Sequence, residues 1–161
     1  MMNIGTLWQR TTTLPVVGER FGKKAFSVLY SQVAPYFSSI GATVTVLEPN
    51  HAELVIRDRR KVHNHIGTVH AIALCNGLEM AMGALAEVTV PSTKRWIPKG
   101  MTVAYTAKAA GNVTCIAETD QVQWDEAEGD LPVRVRGELA DGTVVIDGTI
   151  NLWVTTKKSK G

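Results

Sequence analysis

The feature that most limits how this chain can fold is a long apolar segment near its middle. Residues 68–88 read TVHAIALCNGLEMAMGALAEV and carry few polar side chains. At helical spacing, apolar groups surround almost the whole circumference of this segment, which predicts a helix buried on several sides. Small residues along it would let a sheet approach the helix axis closely: Ala71, Ala73, Gly77, Ala81, Gly83 and Ala84. The fold therefore needs a sheet that wraps around one central helix.

The segments on both sides of this helix predict strands. Two β-branched runs, residues 41–48 and 51–58, precede it and are separated by a turn. Four further strands follow, in the segments MTVAYTAKA, VTCIAETDQV, VRVRGEL and TVVIDGTINLWVTT. The Asp141–Gly142 pair between the last two predicts a tight hairpin. This order indicates an α+β fold, with a curled antiparallel sheet of about six strands around the central helix.

An additional N-terminal helix is expected over residues 18–34, and Pro35 would end it. Its apolar residues follow helical spacing: Phe21, Ala25, Val28, Leu29 and Val33. With 161 residues, 45% of them hydrophobic, the chain predicts a single domain over residues 1–161. Residues 1–17 read as a polar lead-in and residues 157–161 as a tail, and both are expected to be poorly ordered.

The composition limits the partners and the compartment. The net charge of +2 comes from nearly balanced acids and bases, which predicts no nucleic-acid partner and no membrane partner. The first residues lack the apolar stretch of a secretory signal, and no apolar run approaches the length of a membrane span, so we expect a soluble cytoplasmic protein. His63, His65 and His70 lack an accompanying acidic or thiolate ligand, so no metal site is expected.

One acidic residue in the central helix needs an explanation. Glu79 is the only carboxylate between Asp58 and Glu87, and its neighbours in the sequence are leucines and methionines. It is the leading candidate for a base or nucleophile that attacks a thioester. The structural alternative is a carboxylate that hydrogen-bonds to Asn76 or to a neighbouring subunit.

The residues before Glu79 resemble a known motif. Asn64, Gly67 and His70, with an acid nine residues after the histidine, are similar to the hotdog-fold acyl-CoA thioesterase superfamily, in particular the phenylacetate-type thioesterases. The stretch RWIPKG at residues 95–100 resembles an uncharacterised branch of hotdog proteins. The resemblance implies a hotdog fold, hydrolysis of an acyl-CoA or similar thioester, and no cofactor apart from the CoA of the substrate. This sequence departs from the motif in one place, because the family's Gly-Gly after the histidine is Ala71–Ile72 here.

The resemblance implies a role for each catalytic candidate. The backbone N–H of Ala71 would donate to the thioester carbonyl from the helix N-terminus, and Glu79 would act as base or nucleophile. Asn64 would orient the carbonyl or water, or would only stabilise the turn before Gly67. His70 would be a general acid or base, or would tie the preceding loop to the backbone. Substrate contacts, including those of the basic residues with CoA phosphates, are expected from Gly67, Thr68, Asn76, Arg60, Arg95 and Lys99.

The spacing of the two main candidates predicts an oligomer. Ala71 and Glu79 are eight residues apart, about 12 Å along a helix, so one chain cannot place both on one carbonyl. If both are catalytic, two chains build the site, as in the family's homodimers, and a dimer of dimers is also expected. Two further readings stay open: a non-catalytic acyl-ligand-binding or regulatory hotdog module, and a hotdog dehydratase or hydratase.

Overall fold

The structure is one antiparallel sheet curled around a central helix. The computed structural model describes residues 3–13, 19–126 and 128–157. Its strands are β1 Thr43–Glu48, β2 His51–Ile56, β3 Lys94–Tyr105, β4 Val113–Glu118, β5 Gly129–Glu138 and β6 Val144–Thr156. Its helices are α1 Ile4–Thr12, α2 Glu19–Val33, α3 Ala71–Thr89 and α4 Gln121–Glu126. The strand order is β1-β2-β4-β5-β6-β3, with every neighbouring pair antiparallel, which confirms the predicted fold class.

The central helix α3 forms the core with the concave face of the sheet. Leu78 and Met80 are fully buried in it. A Cβ at Gly77 would lie 2.6 Å from Cδ1 of Ile56 and 2.7 Å from Sγ of Cys115, so only glycine allows this close approach. By length and composition, α3 could cross a membrane, but 61% of its most apolar window is buried inside the fold. Packing against the sheet therefore accounts for its apolar character.

The N-terminal helix α2 confirms the predicted helix, but its predicted apolar stripe faces outward. Phe21 is 71% exposed and Val28 56% exposed, whereas Phe26 and Tyr30 are buried. The buried face also carries Ser27, whose hydroxyl accepts a hydrogen bond of 2.8 Å from a backbone N–H of β1. Aromatic packing and this hydrogen bond, rather than the aliphatic stripe, determine which face meets the sheet.

The expected lead-in contains a helix. Asn3 caps α1, because its side-chain oxygen accepts a hydrogen bond of 2.9 Å from the Thr6 N–H. Ile4 is buried, and Trp8 packs edge-on against Phe26 at 5.0 Å between ring centroids. At the other end, Lys157 donates its backbone N–H to the Thr93 carbonyl. The rest of the predicted tail, residues 158–161, lies outside the described residues, as do residues 1–2 and 14–17 of the lead-in and residue 18, the first of the predicted helix.

Two strand boundaries differ from the prediction. Strand β3 begins at Lys94 rather than at residue 101, so the RWIPKG stretch is part of it. The end of the predicted fourth strand and part of the following loop form α4 instead. Trp124 anchors this short helix, because its ring is fully buried and its indole N–H donates to the Thr119 hydroxyl at 2.8 Å. The Asp141–Gly142 hairpin is confirmed, with Gly142 at φ +85°.

Candidate functional site

The loop that precedes α3 is closed by the side chain of Asn64. Its amide oxygen accepts hydrogen bonds from the backbone N–H groups of Ile66 and Thr68, both at 3.1 Å. Its amide nitrogen donates to the Thr68 hydroxyl at 2.9 Å. Gly67 has φ +79°, a conformation that favours glycine. In the single chain, Asn64, Gly67 and Thr68 therefore act on one another and shape the turn.

His70 connects this loop to the central helix. It is the N-cap of α3, and its ring Nδ1 accepts a hydrogen bond of 3.0 Å from the Ile72 N–H. Its backbone is extended, with φ −67° and ψ 139°. This is the loop-tying role that was one of the two alternatives for His70.

The Ala71 N–H has no acceptor in the described residues at the start of α3, and the same holds for the Ala73 N–H. The Ile72 N–H is capped by His70, and the Leu74 N–H donates to the His70 carbonyl at 3.1 Å. Within residues 3–13, 19–126 and 128–157, no group accepts a hydrogen bond from the Ala71 N–H. An unpaired N–H at the positive end of a helix dipole suits an oxygen that gains negative charge. The Ile72 side chain is 55% exposed beside it.

Glu79 lies on the open face of α3. The residues on either side of it, Leu78 and Met80, are fully buried, whereas Glu79 itself is exposed in the single chain. Among the described side chains and backbone groups, none forms a hydrogen bond or an ion pair with its carboxylate. Asn76 instead donates to the Ser39 hydroxyl at 3.0 Å, and no hydrogen bond joins it to Glu79 in the described structure. The structure therefore gives no support to an Asn76–Glu79 pair within one chain.

An apolar cavity opens beside Glu79. Its volume is about 260 Å³, and it lies between α2, α3 and the start of β3. Phe37, Met82 and Pro98 contribute to its apolar wall, and Glu79 lines it as well. A carboxylate without a partner next to an apolar cavity can act on the polar end of a ligand whose apolar part enters the cavity.

Comparison with known proteins places the chain in a family. Residues 22–154 match the family model described as a domain of unknown function, DUF4442. The chain belongs to this family. Its fold matches the crystal structure of the structural-genomics protein APC5556, with a TM-score of 0.81 and 39% identity over 96% of this chain and 99% of that chain. No curated protein matches it.

More distant solved structures share the fold. A Pseudomonas aeruginosa protein, PA5026, described as a probable thioesterase, has a TM-score of 0.73 and 21% identity over 81% of this chain and 93% of that chain. The Haemophilus influenzae thioesterase HI1161 has a TM-score of 0.69 and 12% identity over 83% of this chain and 90% of that chain. These likenesses confirm the hotdog fold, and the DUF4442 match confirms an uncharacterised branch of it.

The side chains of the predicted basic residues form no hydrogen bond or ion pair with the motif residues in the described structure. Arg60 is exposed in a short 3₁₀ helix before the loop. On β3, Arg95 donates to the Thr155 hydroxyl at 3.0 Å, and Lys99 pairs with Asp130 at 2.8 Å. Because side chains alternate along a strand, Arg95 lies on the face of the sheet opposite Trp96, which lines the cavity. Contacts of these residues with CoA phosphates stay a prediction.

The histidines of the loop have other partners. His63 pairs with the carboxylate of Asp58, and His70 caps α3. In the described ranges, no three side chains of His, Cys, Asp or Glu converge as metal ligands. The expectation that no metal binds stays a prediction.

The sequence did not reveal two polar residues of the cavity, Tyr30 and Glu87. Tyr30 comes from the buried face of α2, and burial, together with the charges of Glu87 and Glu79, raises the pKa of its phenol. The pKa of Glu87 is raised by burial, although a hydrogen bond from Trp96 and the charge of Lys157 oppose the shift. The sequence did offer one signal for Glu87: it is a second acid on α3, about two turns after Glu79.

Proposed function

We propose that this protein is a soluble cytoplasmic hydrolase of acyl thioesters, with acyl-CoA as its substrate class, and that it acts as a homodimer. The observation that carries the proposal is the Glu79 carboxylate, which has no partner among the described residues and opens on an apolar cavity. Two solved structures of the same fold, described as a thioesterase and a probable thioesterase, support thioester hydrolysis. No cofactor is needed beyond the CoA that the substrate brings.

The proposed reaction uses two groups that have no partner among the described residues, the Glu79 carboxylate and the Ala71 N–H. Glu79 accepts a proton from water while the water oxygen bonds to the thioester carbon. Alternatively, the carboxylate itself attacks that carbon, and the mixed anhydride that remains after the thiolate leaves is hydrolysed by a water molecule, which regenerates Glu79. The carbonyl oxygen becomes an oxyanion and accepts a hydrogen bond from the Ala71 N–H. The carbon–sulfur bond then breaks, the thiolate leaves and takes up a proton, and the products are a carboxylate and a thiol.

The two groups belong to different chains in this proposal. Ala71 and Glu79 lie on one continuous helix, eight residues or about 12 Å apart. One carbonyl cannot contact both, so each site takes the Ala71 N–H from one subunit and Glu79 from its two-fold mate. A dimer of dimers would repeat the same pair of sites.

A non-catalytic acyl-binding or regulatory module is the second candidate function. The observation that favours it is the exposed Ile72 side chain at the start of α3, where the related motif has glycine. The cavity would then hold an acyl group that is not turned over.

Replacement of Glu79 separates these two functions. Thiol release from a panel of acyl-CoAs should fall by at least about 100-fold in Glu79→Gln, because the variant keeps the size of the side chain but loses the base. The matched control is Glu48→Gln, an exposed acid at the end of β1, which should keep wild-type rates. Unchanged release by a folded, assembled Glu79→Gln protein would contradict the catalytic role, and acyl-CoA binding without release by the wild type would favour the module.

A further inference from the structure

The cavity beside Glu79 has a polar end one turn further along α3. Tyr30 is only 4% exposed, and its ring stacks on Phe26 at 5.8 Å between centroids. A Cβ at Gly83 would lie 2.9 Å from the Tyr30 hydroxyl oxygen, so the phenol crosses α3 where the helix has no side chain. Gly83 is four residues after Glu79, which places this hydroxyl about 6 Å further along the helix.

The Tyr30 hydroxyl is a donor without a partner in the described parts of the chain. The hydroxyl oxygen itself is not enclosed, because among the described side chains only Asn76 Oδ1 is a fully enclosed polar atom without a partner, and Tyr30 opens on the cavity. Tyr30 lines the cavity, so a ligand in the cavity can supply the missing acceptor. A tyrosine phenol is a neutral donor at physiological pH, and the raised pKa of Tyr30 acts in the same direction.

Glu87 completes the polar end. It lies one turn beyond Gly83, lines the same cavity and provides a carboxyl group that can accept a hydrogen bond. With Glu79 at the other side of Tyr30, the cavity has carboxyl groups at both ends, which disfavours an anionic ligand tail. A hydroxyl group fits between these groups, since it can accept from Tyr30 and donate to Glu87.

We propose that Tyr30 and Glu87 make the cavity selective for acyl groups that carry a hydroxyl, over plain alkyl groups of the same length and over acyl groups with a terminal carboxylate. This inference rests on the proposed function, because it takes the cavity as the acyl subsite of that reaction. Tyr30 and Glu87 determine specificity here and do not touch the thioester carbon.

The test measures binding rather than turnover, so that it can fail separately from the proposed reaction. Non-hydrolysable alkyl thioethers of CoA, each with and without a hydroxyl at successive chain positions, are titrated calorimetrically into the wild-type protein. One hydroxylated ligand should bind about tenfold tighter than its plain partner, as one additional hydrogen bond implies. Tyr30→Phe, which keeps the stacked ring, should abolish this preference. The control Tyr36→Phe, an exposed tyrosine, should keep it.

The other outcomes are also decisive. Equal binding of the paired ligands by the wild type, a preference that survives in Tyr30→Phe, or binding of neither ligand would overturn the proposed selectivity. A preference that is lost in Tyr30→Phe, combined with no thiol release from any acyl-CoA, would support the selectivity and contradict only the hydrolysis.

Discussion

The loop before α3 and the open face of α3 carry the same motif but use their polar groups in opposite ways. In the loop, the side chains of Asn64 and His70 are occupied by hydrogen bonds to nearby backbone N–H groups. On the open face, the Glu79 carboxylate has no partner in the described structure, although its neighbours along the chain are fully buried. In the proposed reaction, this difference corresponds to two roles: the loop residues position a backbone donor, and the helix supplies the reacting side chain.

The largest effect on the loop side should come from removing the Ala71 N–H alone. Ala71→Pro eliminates this donor, and proline is well accepted at the first position of a helix after an extended residue such as His70. Turnover should fall by about 100- to 1000-fold, as expected for one oxyanion donor, while circular dichroism and subunit assembly stay at wild-type values. Ala71→Ser keeps the N–H and serves as the control. Turnover by a folded Ala71→Pro protein at the wild-type rate would remove the Ala71 donor from the mechanism.

A smaller effect is expected at Asn64, and mainly on stability. Asn64→Ala leaves the N–H groups of Ile66 and Thr68 without their acceptor, which should lower the free energy of unfolding by roughly 1–2 kcal/mol. Turnover should fall less than about tenfold, since in this account the side chain does not touch the substrate. Asn64→Asp retains the acceptor oxygen and should recover most of the stability. Urea unfolding and kcat together check this, and a large loss of kcat without a loss of stability would assign Asn64 to the substrate instead.

The smallest effect concerns the pH dependence of stability at Glu87. Because burial raises the pKa of this carboxyl in the folded protein, the folded state holds the proton more tightly than the unfolded state. The resulting stabilisation is complete below the unfolded value near 4.5 and is lost as pH rises through the folded value. Urea unfolding of wild type and Glu87→Gln between about pH 4 and 7 should therefore show the wild type losing stability relative to the variant. Because the carboxyl is partly exposed, the change should be below about 1 kcal/mol. A wild type that gains stability relative to the variant over this range would contradict the direction of the shift.

The sequence predicted the elements whose signal is local and missed those that depend on packing between distant segments. The apolar central helix α3 and the Asp141–Gly142 hairpin could be predicted, because helical period and turn chemistry are properties of short segments. The buried face of α2 could not be predicted. The spacing of its aliphatic residues placed Val28 on the buried face, but in the structure Val28 is exposed and Tyr30 is buried. The helix over Ile4–Thr12 was missed for the same reason.

The same distinction between local signals and long-range packing applies to the candidate site. The resemblance singled out Ala71 and Glu79, and their roles stay predictions; their separation of about 12 Å could be predicted, because a helix converts sequence separation directly into distance. The sequence could not show that the Asn64 side chain hydrogen-bonds within its own loop, since an asparagine amide can equally stabilise a turn or bind a ligand. The polar end of the cavity was missed because Tyr30 reaches Gly83 from a helix that is far away in the sequence.

The measurement that tests the central claim most directly uses mixed dimers of two inactive chains. Subunits of Ala71→Pro, which lack the donor, are exchanged with subunits of Glu79→Gln, which lack the base. In a hybrid dimer one site receives both defects and the other receives neither, because each site takes Ala71 from one chain and Glu79 from the other. With random mixing, about half of the dimers are hybrids, so activity should recover to about a quarter of the wild-type value. If mass spectrometry shows hybrid dimers while activity stays at the level of the parent variants, the shared site does not exist.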